Sequence, residues 1–258
     1  MTYEIRNTQY VPMPFPHLTD PVPWLNTDQM IEVDRAMVED FGIELMQMME
    51  NAGRCLATLA RVRFLDGDAR GKRVTVLAGT GGNGGGALVC ARRLHGWGAR
   101  VEVYVTRPDA QFRGVPAHQL AILRRMSLPV GLPDALNWAA APDLVIDGVI
   151  SYSLRGAPAG PAAMLIRWAN DRSRATLALD APSGLDTTTG TVHDPTIRAA
   201  ATLTLALPKE GLRAPQAGAV VGELYLADIS VPPELYSRPP LNLTVGPIFA
   251  AGDIVRLR

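Results

Sequence analysis

The sequence is poor in the residues that usually announce chemistry. Its 258 residues include two cysteines and four histidines. No Cys-x-x-Cys pair or His/Cys cluster occurs, which excludes a zinc site built from those ligands. Cys55 and Cys90 both fall in apolar helical patterns and read as small core residues. Charge of either sign is not in excess: 25 Lys and Arg balance 25 Asp and Glu. That balance removes the electrostatic case for nucleic acid or an anionic membrane surface. Neither an apolar run long enough for a membrane span nor a secretion signal behind Met1 is present, so a cytoplasmic protein is expected. What is plentiful is apolar or small: 47% hydrophobic residues, 24 glycines and 21 prolines, with 19% charged. This is a globular composition with enough chain for one large α/β domain or two small ones.

Proline and glycine punctuate the chain unevenly. Pro12, Pro14, Pro16, Pro21 and Pro23 mark residues 1–24 as an extended, proline-rich arm. Asn26-Thr27-Asp28 offers an N-cap, and Met30, Ile31, Val33, Met37, Val38 and Phe41 then predict an amphipathic helix ending at Gly42. Ile43, Leu45, Met46, Met49, Cys55, Leu56 and Leu59 form the apolar face of a second helix, whose methionines read as core filler. Glu50-Asn51-Ala52-Gly53 interrupts that face and fits a kink, a dimer contact or a site equally well. From Gly71 onward strands and helices alternate. Strands are predicted at 74–78, 100–106, 143–150, 176–180, 201–207 and 223–229. Helices are predicted up to His95, around 117–126, briefly near 134–140, and from Pro161 to Ala169. Continuous apolar strands bounded by helices imply a three-layer αβα sandwich with a Rossmann-like, mostly parallel sheet. That domain is expected over 25–230, with 231–258 trailing as a C-terminal arm marked by Pro232, Pro233, Pro239 and Pro240.

Between the first strand and its helix lies Gly79-Thr80-Gly81-Gly82-Asn83-Gly84-Gly85-Gly86. Glycines without Cβ atoms let a ligand approach the backbone, and amides at a helix N-terminus favour an anion. The spacing Gly79-x-Gly81-x-x-Gly84 meets the dinucleotide fingerprint, a weak signal alone. In a doubly wound sheet ligands sit beyond the carboxyl ends of the strands, which gathers this turn with Thr106, Asp147 and Asp180. The loop Asp180-Ala181-Pro182-Ser183-Gly184-Leu185-Asp186 would hold its carboxylate rigidly. The Asn83 amide, the Asp147 carboxylate and a carbonyl or hydroxyl near Ser183 are hard oxygen donors, suited to an alkali or alkaline-earth cation.

Several of these stretches, in this order, carry a family resemblance. They are Met48-Met49-Glu50-Asn51-Ala52-Gly53, the glycine turn, Asp147-Gly148-Val149-Ile150-Ser151 with Leu154-Arg155-Gly156, Asp180–Asp186, and Ala201 through Pro208-Lys209-Glu210-Gly211. The chain resembles the N-terminal YjeF domain family, whose best-known members are NAD(P)H-hydrate epimerases, over roughly residues 25–230. The resemblance implies a Rossmann-type homodimer that interconverts the R and S hydrates at C6 of a damaged nicotinamide ring, with potassium in the site. It implies that Asn83, Asp147 and Ser183 hold the ion and that Asp180 is catalytic and faces the ring. It implies that Gly82, Asn83, Gly84, Gly85 and Gly86, together with Ser151, Tyr152, Ser153, Leu154, Arg155 and Gly156, bind the nucleotide substrate. A separate dehydratase is expected in the same pathway, since the chain ends soon after the matching region.

Where family members read Asn-Asn-Gly-Gly-Asp-Gly, this chain reads Gly82-Asn83-Gly84-Gly85-Gly86-Ala87, keeping the presumed ion-binding Asn83. Two other readings therefore stand beside the epimerase. One is a catalytically inactive nucleotide-binding or dimerisation module. The other is an NAD(P)-dependent oxidoreductase, with Arg107 after the second strand suited to a 2′-phosphate.

Overall fold

Strands that are apolar on both sides need cover on both faces, and the fold is arranged to give it. The computed structural model describes residues 15–139, 141–152 and 154–258. One sheet runs through it, built from β1 (Arg73–Ala78), β2 (Arg100–Val105), β3 (Val130–Gly131), β4 (Leu144–Gly148), β5 (Thr176–Leu179), β6 (Ala201–Leu205), β7 (Glu223–Ala227) and β8 (Ile254–Arg256). The strand order is β3-β2-β1-β4-β5-β6-β7-β8. All neighbours are parallel except β7 and β8. The order reverses between β1 and β4, and a crevice at such a reversal is where open α/β sheets take their ligands.

The helices are α1 (Thr27–Glu39), α2 (Leu45–Leu59), α3 (Gly82–Gly96), α4 (Gly114–Arg125) and α5 (Gly160–Arg172), with short α6 (Gly218–Val221) and α7 (Pro233–Ser237). On one face α2, α3 and α4 bury Leu56, Leu88, Ala91 and Leu120 against Val76, Ile146, Leu177 and Leu179. On the other, α5 buries Leu165, Ile166 and Trp168 against Leu77, Val145 and Ala178. These are alternate residues of the same strands, the period of two expected of pleated chain. A third cluster lies across the carboxyl ends of the strands. There Met30, Val33 and Met37 of α1 pack with Leu207, Ile229, Leu235 and Tyr236. The predicted cap of α1 is present as a capping box, in which Asn26 Oδ1 accepts from Gln29 N at 2.9 Å and Gln29 Oε1 accepts from Asn26 N at 3.0 Å.

Two expectations change, the trailing C-terminal arm and the brief helix near 134–140, and two elements gain detail. The segment 231–258 is not a trailing arm: it supplies α7 and the antiparallel β8, which pairs Ile254 with Ala227 and covers the β7 edge. The described part of the N-terminal arm is tied to that strand, with Arg256 N donating to Pro16 O at 2.8 Å and Leu18 N to Arg256 O at 2.9 Å. Its first 14 residues lie outside the described ones. The brief helix expected near 134–140 is a 3₁₀ turn at Pro133–Ala135, with Ala140 outside the described residues, and a two-residue β3 precedes it. The second helix continues as a π-helix over Ala60–Phe64. No helix among the described residues is long and apolar enough to cross a membrane.

Candidate active site

The glycine-dense stretch is less a turn than the first turns of a helix. Its residues Gly82–Gly86 already belong to α3, whose N-cap is Gly81. Most of its glycines exist for packing. A Cβ on Gly84 would stand 1.9 Å from the Gly79 carbonyl oxygen, one on Gly85 2.4 Å from Met49 Sδ, and one on Gly86 2.8 Å from Leu179 Cδ2. Gly53 of α2 meets α3 in the same way, 2.4 Å from Val89 Cβ and 2.6 Å from Gly86 O. The Glu50–Gly53 break is thus the crossing point of α2 and α3, with the Glu50 carboxylate outside it accepting from Arg92 at 2.5 Å and Gln119 at 3.1 Å.

Above this crossing opens a cavity of about 790 Å³, within the range that takes a small-molecule ligand. Thr80, Gly81, Gly82, Asn83 and Gly84 form one side; Gly85 and Gly86 do not reach it. Thr106 and Arg107 line it after β2, Val149 to Tyr152 after β4, Asp180 after β5 and Lys209 beyond β6. Met30, Met48 and Met49 line it as well, so these methionines serve the cavity as well as the core. Of the loop expected to bind substrate, Ser151 and Tyr152 line this cavity. Leu154 and Arg155 line a smaller one of about 290 Å³ on the other side of Tyr152, Gly156 lines neither, and Ser153 lies outside the described residues.

Asp180 is held by its neighbours to an unusual degree. It is 3% exposed and sits at φ +66°, a left-handed backbone in which Asp is tolerated better than most residues. Lys209, with no exposed surface, forms a short ion pair with Oδ1 and also donates to Leu205 O at 2.8 Å. Thr204 Oγ1 and Leu205 N each donate to the same Oδ1 at 3.2 Å. All three of these contacts to the Asp180 carboxylate fall on Oδ1, and Asp180 lines the cavity.

Asp147 lies lower. Fully buried, it is not part of the cavity wall, so the expectation that both acids open onto one cavity holds for Asp180 alone. Ser183 Oγ donates to its Oδ1 at 2.6 Å, Ser183 N to Oδ2 at 2.8 Å and Val149 N to Oδ1 at 3.2 Å. Ser183 in turn accepts from Ile150 N at 2.8 Å, so the pair holds the cavity floor in place. No Lys, Arg or His among the described residues pairs with Asp147, and burial pushes its carboxyl up to about 6. Asn83 enters the same layer from α3, donating through Nδ2 to Leu179 O at 2.8 Å, which leaves its amide oxygen as an acceptor.

Three groups escape sequence reasoning. Asp34 of α1 accepts the Tyr152 hydroxyl at 2.5 Å beside the cavity. Its signal is register: it stands four residues after Met30 and three before Met37, on the buried stripe of an amphipathic helix. Lys209 was visible only as part of a Pro-Lys-Glu-Gly string, and nothing local foretells its burial. Tyr236 of α7 leaves a buried hydroxyl without a hydrogen-bond partner among the described residues.

A doubly wound sheet with a cavity and a buried acid–lysine pair at the carboxyl ends of its strands defines a Rossmann-type small-molecule site. The chain belongs to the YjeF N-terminal family: residues 45–211 match the family described as YjeF-related protein N-terminus. It is 42% identical over 228 residues to an NAD(P)H-hydrate epimerase of Dehalogenimonas lykanthroporepellens, covering 88% of this chain and 90% of that one. It is 35% identical over 230 residues to a bifunctional NAD(P)H-hydrate repair enzyme of Salinibacter ruber, of which it spans 42%. The crystal structure of yeast ynu0 shares the fold at a TM-score of 0.78 with 22% identity, covering 92% of this chain and all of that one.

Proposed function

We propose that this protein is an isomerase that interconverts the R and S hydrates of NADH and NADPH at C6 of the nicotinamide ring. The observation that carries the reading is a carboxylate, Asp180, fixed by Lys209 through one oxygen and lining the cavity, in a chain 42% identical to a protein named for this activity. The relatives' names favour it over a non-catalytic module and over an oxidoreductase. The hydrated carbon is a hemiaminal, so the ring nitrogen lone pair can expel the hydroxyl and leave an iminium to which water re-adds. Asp180 is suited to move the proton at that hydroxyl. Thr80 to Gly84, lining the cavity at the start of α3, are suited to the pyrophosphate.

Potassium belongs to the same proposal, with Asn83, Asp147 and Ser183 as the residues that would hold it. The support is chemical: a buried carboxylate without a cationic partner, an amide oxygen left free and a serine hydroxyl form a hard, singly charged donor set. The ion would offset the buried charge under the floor. Self-association as a homodimer finds support in Ile31, Val38 and Leu45, exposed to 51%, 40% and 38% on α1 and α2. The bifunctional relatives support a companion dehydratase acting on the same hydrates.

Asp180→Asn is expected to abolish epimerisation while nucleotide binding persists. Chromatography of the R and S hydrates after incubation, alongside ligand titration, is the check; an active Asn variant rules the mechanism out.

A further inference from the structure

The epimerase reading gives work to Asp180 and Lys209 and leaves a second, half-buried acid at the same cavity without any. Asp34 reaches it from α1, its Oδ2 accepting the Tyr152 hydroxyl at 2.5 Å. Both line the cavity with Asp180 and Lys209. Burial drives the Asp34 carboxyl above its usual range, against the Tyr152 hydrogen bond and the Lys209 charge, and the Asp180 charge adds to the rise. Burial, then the Asp34 charge, raises the Tyr152 phenol too. Tyr236 of α7 is the other titratable group facing Asp34. A carboxyl so placed retains a proton closer to neutral pH than a solvated one and can give it up through the phenol.

Epimerisation makes a demand that one carboxylate does not meet. The iminium is planar at C6, so the hydroxyl leaves from one face and the new water must arrive at the other. A side chain fixed to one wall serves one face. We propose that the Asp34–Tyr152 pair is the second proton-transfer group of this site, serving the C6 face opposite that served by Asp180; this rests on the epimerase reading. In one direction the pair donates a proton to the C6 hydroxyl. The C6–O bond breaks with its electrons on oxygen, which departs as water, and the nitrogen lone pair becomes the C=N bond. A water oxygen then bonds to C6 from the other face, the C=N pair returns to nitrogen, and the surplus proton passes to Asp180. One water leaves and one enters, nothing is oxidised, and solvent resets the two acids.

The test follows both inversion and exchange. R and S hydrates are incubated in ¹⁸O-labelled water with the wild-type chain, Asp34→Asn and Tyr152→Phe, then separated and weighed by mass spectrometry. In each variant kcat for inversion is expected to fall by about 100-fold or more, with KM within about threefold of wild type. One epimer, the one Asp180 serves, continues to take up label without inverting. Inversion in either variant within about threefold of the wild-type kcat overturns the inference. So does equal loss of label uptake by both epimers, which marks a site damaged as a whole. Tyr152→Phe removes a single oxygen atom and keeps the ring, so it carries the test should Asp34→Asn fold poorly. A wild-type chain that does not invert the hydrates removes the epimerase reading and this inference together, whereas an active wild type with active variants removes this inference alone.

Discussion

Lys209 is the residue on which the site's electrostatics turn. Its ammonium has no exposed surface, and all its partners come from the ends of β5 and β6: Asp180 Oδ1, Thr204 Oγ1 at 3.4 Å and Leu205 O. Removing one member of such a pair leaves the other charge buried and uncompensated, at a cost of roughly 3–5 kcal/mol. Lys209→Met is therefore expected to lower unfolding stability by about that amount in urea titration, and Asp180→Asn to lower it too, since the buried ammonium then keeps an acceptor but no counter-charge. A Lys209→Met protein as stable as wild type overturns this. Asparagine remains the apt probe at 180. The backbone there is left-handed, a conformation that asparagine shares with aspartate more readily than other side chains do. What was legible in advance at this scale was the pair of acids ending apolar strands, since a carboxylate after a buried run has to find partners. What was not legible was which partners, because Lys209 and Thr204 reach Asp180 from another strand and the loop beyond it.

The elements that hold the site meet through glycines, and these separate by role. Gly53 and Gly84 to Gly86 let α2, α3 and the sheet approach one another, while Gly81 and Gly82 have open space beside them or only Met49 Cε at 3.9 Å. Gly53→Ala is expected to destabilise by about 1–3 kcal/mol, as an overpacked contact does, because its Cβ meets the backbone oxygen of Gly86 as well as Val89. Gly82→Ala is expected to leave stability within about 1 kcal/mol of wild type, glycine being the poorer helix former, while weakening nucleotide binding. Thermal melts paired with ligand titration separate the two, and equal melting temperatures in both variants contradict the division. The strands and long helices were readable because periods of two and 3.6 are local properties of the chain. The glycine run misled because a helix start and a tight turn share the same residues, and only the neighbours across the gap distinguish them.

At the scale of the molecule, the last strand and the π-helical extension of α2 are joined by one carboxylate. Glu223 on β7 accepts from Arg63 at 2.8 and 2.9 Å, with Arg256 of β8 at 3.7 Å. The Arg63 hydrogen bonds lower its carboxyl to about 2. The unfolded chain takes up this proton at higher pH than the folded one. The contribution is thus complete above the ordinary glutamate range and is lost as pH falls from about 4.5 towards 2. Because Arg63 is half exposed, its magnitude is about 1 kcal/mol. Glu223→Gln should lower the urea midpoint at pH 7, with the gap to wild type narrowing by pH 3; a constant gap counts against it. The same corner of the sheet has another consequence. Residues 16 and 18 are bonded to Arg256, at opposite ends of the numbering yet side by side in space. A gene rearranged so that a short peptide links these two places, with the break moved to a solvent-facing loop, would encode the same sheet with its strands in a new reading order.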